Sequence, residues 1–458
     1  MKENIWNTYN HTDINLLNDI CDDYRKFLTE SKIEREVVEN SIKLAEDAGF
    51  VNLDSFIKDE NKLKAGDRIY VNNRGKALAL FVIGEEDITN GINILGAHVD
   101  SPRLDLKANP LYEDESMAYF DTHYYGGIKK YQWVTLPLAL HGVIVKKNGD
   151  VIKVNIGEDE SDPVVGITDL LPHLGQEQLK KEASKVIEGE KLDVLIGSMP
   201  IEDEEKDAVK KNILEILNNK YDIEEDDFLS SEIEVVPAGA ARDFGLDRSM
   251  VMAYGQDDKV CAYTSLRAFL DVSECKRTIS CILVDKEEIG SVGSTGMESS
   301  FYENALTEIC VLLGHNELTA VNRCLANSYM LSSDVNAAYD PLYADVMDKR
   351  NSSYFNNGVV FCKYTGARGK SGSNDANAEY VAKLRKIMDD NEVHFQISEL
   401  GKVDAGGGGT IAYILANKNV NVIDCGVGVL SMHAPWEVTA KSDIYEAYKC
   451  YLAFLKDA

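Results

Sequence analysis

The run Ile279-Ser280-Cys281-Ile282-Leu283-Val284, with the stretch Asp285-Lys286-Glu287-Glu288-Ile289-Gly290-Ser291 behind it, constrains this chain more than any other segment. An apolar run this short reads as a buried strand. Two adjacent carboxylates at the end of such a strand oppose each other's ionisation, since like charges at close range disfavour the charged form of both. A bound cation removes that opposition. The alternation of a strand would then give the neighbours different jobs, one holding a metal and the other carrying a proton. Taken alone, an acidic pair is ordinarily solvated surface charge, so its meaning depends on what the rest of the chain supplies.

The chain has 458 residues, room for two or three domains, and an apolar fraction of 44% that is ordinary for a globular core. Its formal charge of −29 argues against binding a phosphate backbone and predicts no nucleic-acid partner. No apolar run is long enough to cross a bilayer, and the opening Met1-Lys2-Glu3-Asn4-Ile5-Trp6 lacks a secretory apolar segment, so no membrane partner is expected. The nine cysteines include no C-x-x-C pair, and Cys281, Cys362 and Cys425 sit in strand-like apolar runs. Buried thiols in a reducing cytoplasm fit that usage.

Helical spacing predicts helices over 16–28 and 34–48, and strands follow at 69–71, 77–83 and 92–97. From Leu104 to Pro237 the texture changes to short strand-like runs between strongly charged stretches, with one helical segment at 208–217. After Ala238-Gly239-Ala240-Ala241 an alternation of strand and helix resumes, ending in an amphipathic helix over 443–455. This pattern predicts an α/β fold with a mostly parallel central sheet flanked by helices, interrupted by an inserted domain. The expected boundaries are 1–103 and 239–458 for the two parts of the main domain and 104–238 for the insertion.

Four further segments place metal-ligand residue types at strand ends or in loops. His98-Val99-Asp100 follows an apolar strand, and residues two apart on an extended segment point the same way, so Asp100 can orient the His98 ring. An isolated pair of this kind also occurs in ordinary cores and turns. Asp257-Asp258 stands at the head of a predicted helix, where capping and dipole compensation are an alternative use. Asp334 ends the apolar run Tyr329-Met330-Leu331, as a ligand or a helix cap, and His433 follows the run 421–430. Together these supply imidazoles, aspartates and an acidic pair at the boundaries of β-elements, where ligands gather in open α/β sheets. Two divalent ions roughly 3.5–4 Å apart need about such a set. Mixed nitrogen and oxygen donors suit zinc, with manganese or cobalt as alternatives.

The ordered series Gly96-Ala97-His98-Val99-Asp100-Ser101-Pro102, Asp257-Asp258, Asp285-Lys286-Glu287-Glu288-Ile289-Gly290-Ser291, Ser333-Asp334 and Ser431-Met432-His433 resembles the aspartyl aminopeptidase/aminopeptidase I family of cocatalytic zinc metallopeptidases. The resemblance implies that His98 and Asp334 hold one zinc, Glu288 and His433 the other, Asp257 bridges them and Glu287 is the general base. It also implies a β-rich inserted dimerisation domain, assembly of dimers into a homo-dodecamer, and peptide substrates with a free N-terminus. Tyr125-Gly126-Gly127 and Trp133 match the family, whereas Thr135-Leu136-Pro137 replaces its charged triplet, as in a bacterial branch. That replacement leaves open whether the preferred N-terminal residue is acidic. His173, in Leu171-Pro172-His173-Leu174, resembles the family histidine that reaches a neighbouring subunit's substrate site; a local structural histidine is the alternative.

The implied reaction is hydrolysis of an N-terminal peptide bond by a metal-activated water, with Glu287 moving the proton. Two other segments are candidates for substrate contacts: the run Gly406-Gly407-Gly408-Gly409 before Thr410, alternatively a flexible loop, and the basic stretch Arg368-Gly369-Lys370. A related dinuclear hydrolase, such as a deacylase or carboxypeptidase, would share the metal residues and differ in what anchors the substrate. A non-catalytic assembly protein would have no need of Glu287.

Overall fold

All six residues of the strand Ile279–Val284 are buried, as an apolar run covered on both faces requires. The computed structural model describes residues 4–59, 62–366 and 369–458. Met1–Glu3 of the opening segment and Arg368 of the basic stretch lie outside the described residues. The chain divides into two units: Met1–Asp100 with Ala241–Met432 and Glu437–Ala458, and Ser101–Ala240 with His433–Trp436.

The first unit is built on a nine-stranded sheet. At its centre Ile279–Val284, Asn93–His98, Tyr329–Ser332 and Asn421–Gly426 run parallel, so Val284, His98, Ser332 and Gly426 end at the same edge. Towards one side, Ala77–Val82 pairs antiparallel with both Ile279–Val284 and Arg68–Asn73. On the other, Val359–Cys362 pairs antiparallel with Asn421–Gly426 and parallel with Phe395–Ser398. The sheet is therefore mixed, a correction to the mostly parallel sheet expected. Parallel order holds where helices cross between strands. It fails where the tight turn Asn73–Lys76 closes a hairpin, since a turn that short reverses the chain.

One face of the sheet packs against the helices His11–Glu30, Gln256–Leu270 and Lys441–Asp457 through a cluster including Leu17, Tyr24, Leu266, Phe269 and Tyr451. The other packs against Phe301–Leu312 and Ala320–Ala326 through Phe81, Ile94, Leu306 and Ile309. Asn10 starts the first helix with a reciprocal cap, its side chain accepting from the Asp13 amide while Asp13 accepts from the Asn10 amide. A second, five-stranded sheet in this unit joins Arg242–Phe244, Met250–Ala253, Glu437–Ala440, Gly428–Leu430 and Asn336–Ala337.

The second unit carries a six-stranded sheet in the order Val151–Ile156, Leu138–Val145, Ser231–Pro237, Arg103–Asp114, Met117–Tyr125 and Val194–Gly197. Every pairing in it is antiparallel. Its longest hairpin slips register between Leu106 and Leu111, the neighbourhood of Pro110, which has no N–H to give a regular ladder. The helix Ala208–Tyr221 belongs to the same unit, its first amides capped by the Glu113 carboxylate. Among the described residues no helix is long and apolar enough to cross a membrane. All nine cysteines are free.

Candidate metal centre

Residues from separate strand ends converge at the carboxyl edge of the large sheet. Ligand atoms of His98, Asp257 and Asp334 all lie within 4.8 Å of one another, and the same holds for His98, Glu287 and Glu288. His98 and Asp257 are buried, and Glu287 and Glu288 are partly open to solvent. His98 is the common member because its strand lies between those that lead to Glu287 and to Asp334.

The ring of His98 is oriented by its own loop. Its Nδ1 is 3.0 Å from the carbonyl oxygen of Asp100. A carbonyl only accepts, so Nδ1 carries the proton, and in the neutral ring Nε2 keeps the lone pair that can ligate a metal. That Nε2 lies 3.2 Å from Asp257 Oδ1 and 3.8 Å from Glu287 Oε2. The Asp100 carboxylate does more than the sequence suggested: beside lying 3.4 Å from Nδ1, it accepts from the Glu287 amide at 3.1 Å and the Glu288 amide at 3.2 Å. One buried carboxylate thus ties the imidazole to the turn carrying the acidic pair.

That turn corrects the expectation of strand alternation. The strand stops at Val284, Lys286 turns out of it with φ of 69°, and Glu287–Ile289 forms one 3-10 turn. Successive residues of such a turn leave it in different directions, yet a carboxylate oxygen of each glutamate lies within 4.8 Å of the other and of His98. Asp257 and Asp258 likewise have non-helical backbone angles inside Gln256–Leu270, joined by a cis peptide bond. The helix starts from Gly255, which gives no side-chain cap. Asp258 accepts from the His98 amide at 3.4 Å, and the Asp257 amide donates to Glu437 Oε2 at 2.9 Å.

The charge balance of this pocket is lopsided. Burial pushes the Asp334 carboxyl well above the ordinary range, with Asp258, Glu287 and Asp257 adding to the rise and His98 opposing it. Burial does the same to Asp258, with His98 opposing and Asp257 adding. Burial works against a charged His98, yet the Asp100 and Asp257 carboxylates outweigh it and push the imidazole up. A site that draws protons this strongly is one that a multivalent cation satisfies. One imidazole nitrogen among carboxylate oxygens is a donor set that fits zinc.

His433 belongs to the second unit, with φ of 62° and Nδ1 2.8 Å from the carbonyl oxygen of Gly127 in the Tyr125-Gly126-Gly127 segment. Trp133 is fully buried in that unit. His173 is exposed there on a turn closed by the Leu174 amide to the Leu171 carbonyl, flanked by exposed Leu171 and Leu174. Lys370 pairs with Asp375 at 2.9 Å and lies 3.6 Å from the Tyr364 ring centre, so its charge is already engaged. Gly406 is needed for packing, since a Cβ there would meet the Leu400 carbonyl oxygen at 2.0 Å, whereas Gly409 faces open space.

Sequence reasoning passed over two buried acids beside the candidate ligands. Glu437, which holds the Asp257 amide, stands four residues after His433, and that short spacing to a candidate ligand was its signal. Asp285, fully buried, opens the acidic stretch and was hidden by the pair that follows it.

A model of the aminopeptidase I zinc metalloprotease family (M18) matches residues 27–455. A protein of Clostridium acetobutylicum described as a probable M18 family aminopeptidase 1 is 57% identical over 456 residues, covering 99% of this chain and 98% of its own. The crystal structure of an M18-family aminopeptidase from Thermotoga maritima superposes with a TM-score of 0.95 at 44% identity, covering 100% of both chains. The fold extends to the S. cerevisiae mApe1 dodecamer, with a TM-score of 0.77 at 20% identity over 96% of this chain and 97% of that one.

Proposed function

This chain belongs to the aminopeptidase I zinc metalloprotease family (M18) and is a zinc metallopeptidase, and from that premise we propose that it releases the N-terminal residue of peptides using two metal ions and Glu287 as the general base. The observation that carries the reading is the convergence of His98, Asp257, Asp334, Glu287 and Glu288 at one sheet edge. His98 and Asp334 would hold one ion, Glu288 and His433 the other, and Asp257 would bridge them. When bound, such ions polarise a carbonyl and make a water acidic enough to ionise near neutral pH.

The chain's own residues supply the rest. Asp100 holds the His98 Nδ1–H and both glutamate amides, so the base and the ligands share one rigid support. Glu287, with a side chain 16% exposed, is open enough to meet solvent and substrate, unlike the buried Asp257. It takes the proton of the attacking water and returns it to the leaving amine. His173, exposed on its turn, would serve the substrate site of a neighbouring subunit. The segment 104–238 would be the dimerisation domain of a homo-dodecamer in the cytoplasm.

The test is a paired assay on the zinc-loaded protein, with manganese and cobalt reconstitutions beside it. Aminoacyl substrates with a free α-amine are compared with the same substrates N-acylated. Cleavage of the free-amine series is expected. Cleavage of the blocked series alone would replace this reading with a deacylase, and release of C-terminal residues would replace it with a carboxypeptidase.

A further inference from the structure

Beneath the turn that carries Glu287 and Glu288 lies a buried ion network that the reaction scheme does not use. Ala77–Val82 and Ile279–Val284 pair antiparallel with Leu78 opposite Leu283. Continuing that register by two residues places Lys76 opposite Asp285, a cross-strand pair at the end of the ladder. The Lys76 ammonium is 2.9 Å from Glu34 Oε1 and 3.8 Å from Asp285 Oδ2. Glu34 and Asp285 are fully buried and Lys76 is only 9% exposed. A buried carboxylate persists at this depth only when a cation and hydrogen bonds compensate it.

Asp285 is tied to both ends of the glutamate loop. Its Oδ2 accepts from Thr295 Oγ1 at 2.6 Å and from the Lys286 ammonium at 2.8 Å. The Asp285 amide donates to the Thr295 carbonyl at 3.3 Å, and the Ser291 amide to the Lys286 carbonyl at 2.6 Å. The loop 285–295 is therefore closed at its base by the Asp285 side chain and backbone together. Asp100 grips the same loop at its tip, through the Glu287 and Glu288 amides. Lys286 and Thr295 belong to the loop itself, while Lys76 and Glu34 approach from the neighbouring strand end and from the start of the helix Glu34–Asp47.

We propose that Lys76 is a positioning residue for the reaction: by supplying the fixed positive charge between Glu34 and Asp285, it anchors the loop from which Glu287 reaches the substrate. This rests on the reading of Glu287 as the general base. The effect belongs in turnover more than in substrate affinity, because Lys76 touches the support of the base and not the substrate.

The experiment measures kcat, KM, bound zinc and melting temperature for the zinc-loaded full chain and for Lys76→Met, Lys76→Arg, the double variant Glu34→Gln with Lys76→Met, and Glu287→Gln. For Lys76→Met, kcat is expected to fall about 10- to 100-fold, the range typical of groups supporting a metal site, with KM and zinc content near the parent's. Lys76→Arg keeps the charge and is expected to recover most of the turnover. The double variant removes the stranded Glu34 charge, so it is expected to regain melting temperature while kcat stays low; it also keeps the test open should Lys76→Met fail to fold. Turnover in the double variant that returns with its stability reduces Lys76 to a structural partner and overturns the inference. So does a Lys76→Met protein with the parent's kcat, or one whose activity falls only in proportion to lost zinc. An active Glu287→Gln variant overturns the base assignment instead, whereas an inactive one beside a fully active Lys76→Met removes only the role of Lys76.

Discussion

Two regions of the molecule bury charge, and they do so in opposite ways. In the second unit Arg103, 5% exposed, sits 2.9 Å from Glu234 and 2.8 Å from Asp105, and its guanidinium lies 3.8 Å from the Tyr125 ring centre. Its cation is matched from within the chain. At the edge of the large sheet, His98 is surrounded by Asp257, Asp258, Asp334, Glu287 and Glu288, and burial pushes Asp258 and Asp334 up towards protonation. Balanced burial holds a sheet together; unbalanced burial favours a cation. The difference separates a structural ion pair from a candidate metal centre more sharply than residue type does, since both use the same acids.

The largest test of that contrast falls on Glu287. Replacing it with Gln removes the proton carrier and no proposed ligand, so turnover is expected to fall by about 10²–10⁴ while zinc measured by atomic absorption stays near the parent value. Retention of substantial turnover would remove Glu287 from its role. A smaller, opposite effect is expected from Glu234→Gln. Breaking one arm of the balanced pair is expected to lower the unfolding free energy by about 3 kcal/mol, read from urea melts, with zinc content unchanged. Zinc lost in step with that stability would mean the two charge clusters are not independent.

A pH-dependent effect concerns another buried acid, Asp443, which accepts from the Asn356 and Gly358 amides at 2.9 Å each. Burial raises it from 3.8 to about 7, with the backbone hydrogen bonds opposing. The folded chain thus holds this proton to higher pH than the unfolded chain does. Its contribution falls as pH rises from about 4 to about 7, and above that window the full penalty of a buried charge remains. Melting curves across that range are expected to slope less steeply for Asp443→Asn than for the parent. Parallel slopes would show that Asp443 titrates alike in both states.

Legibility in the sequence followed the range of the interactions involved. Ile279–Val284, Asn93–His98 and the final helix Lys441–Asp457 were readable because burial on a sheet or along a helix stripe imposes a local period. The hairpin Arg103–Asp114 with Met117–Tyr125 was not, since charged residues and a register shift break its alternation and its partners lie far along the chain. Nor was Val359–Cys362 with Phe395–Ser398 placed as a sheet edge, because a run of four residues carries too little pattern to name its neighbours.

By itself the sequence determined which residue types stand at the ends of which strands, because a strand's apolar run and the polar residue that ends it are adjacent in the chain. From that came His98, Asp334 and the pair Glu287-Glu288 as candidates and, with the order of their motifs, the family. Only the tertiary structure decided which atoms meet. The mixed order of the sheet sets the His98 strand between the other two, Asp100 reaches the amides of residues nearly two hundred positions away, and a cross-strand register puts Lys76 under Asp285. Side-chain encounters of that kind depend on pairing and packing summed over the whole core, and no local stretch of sequence encodes them.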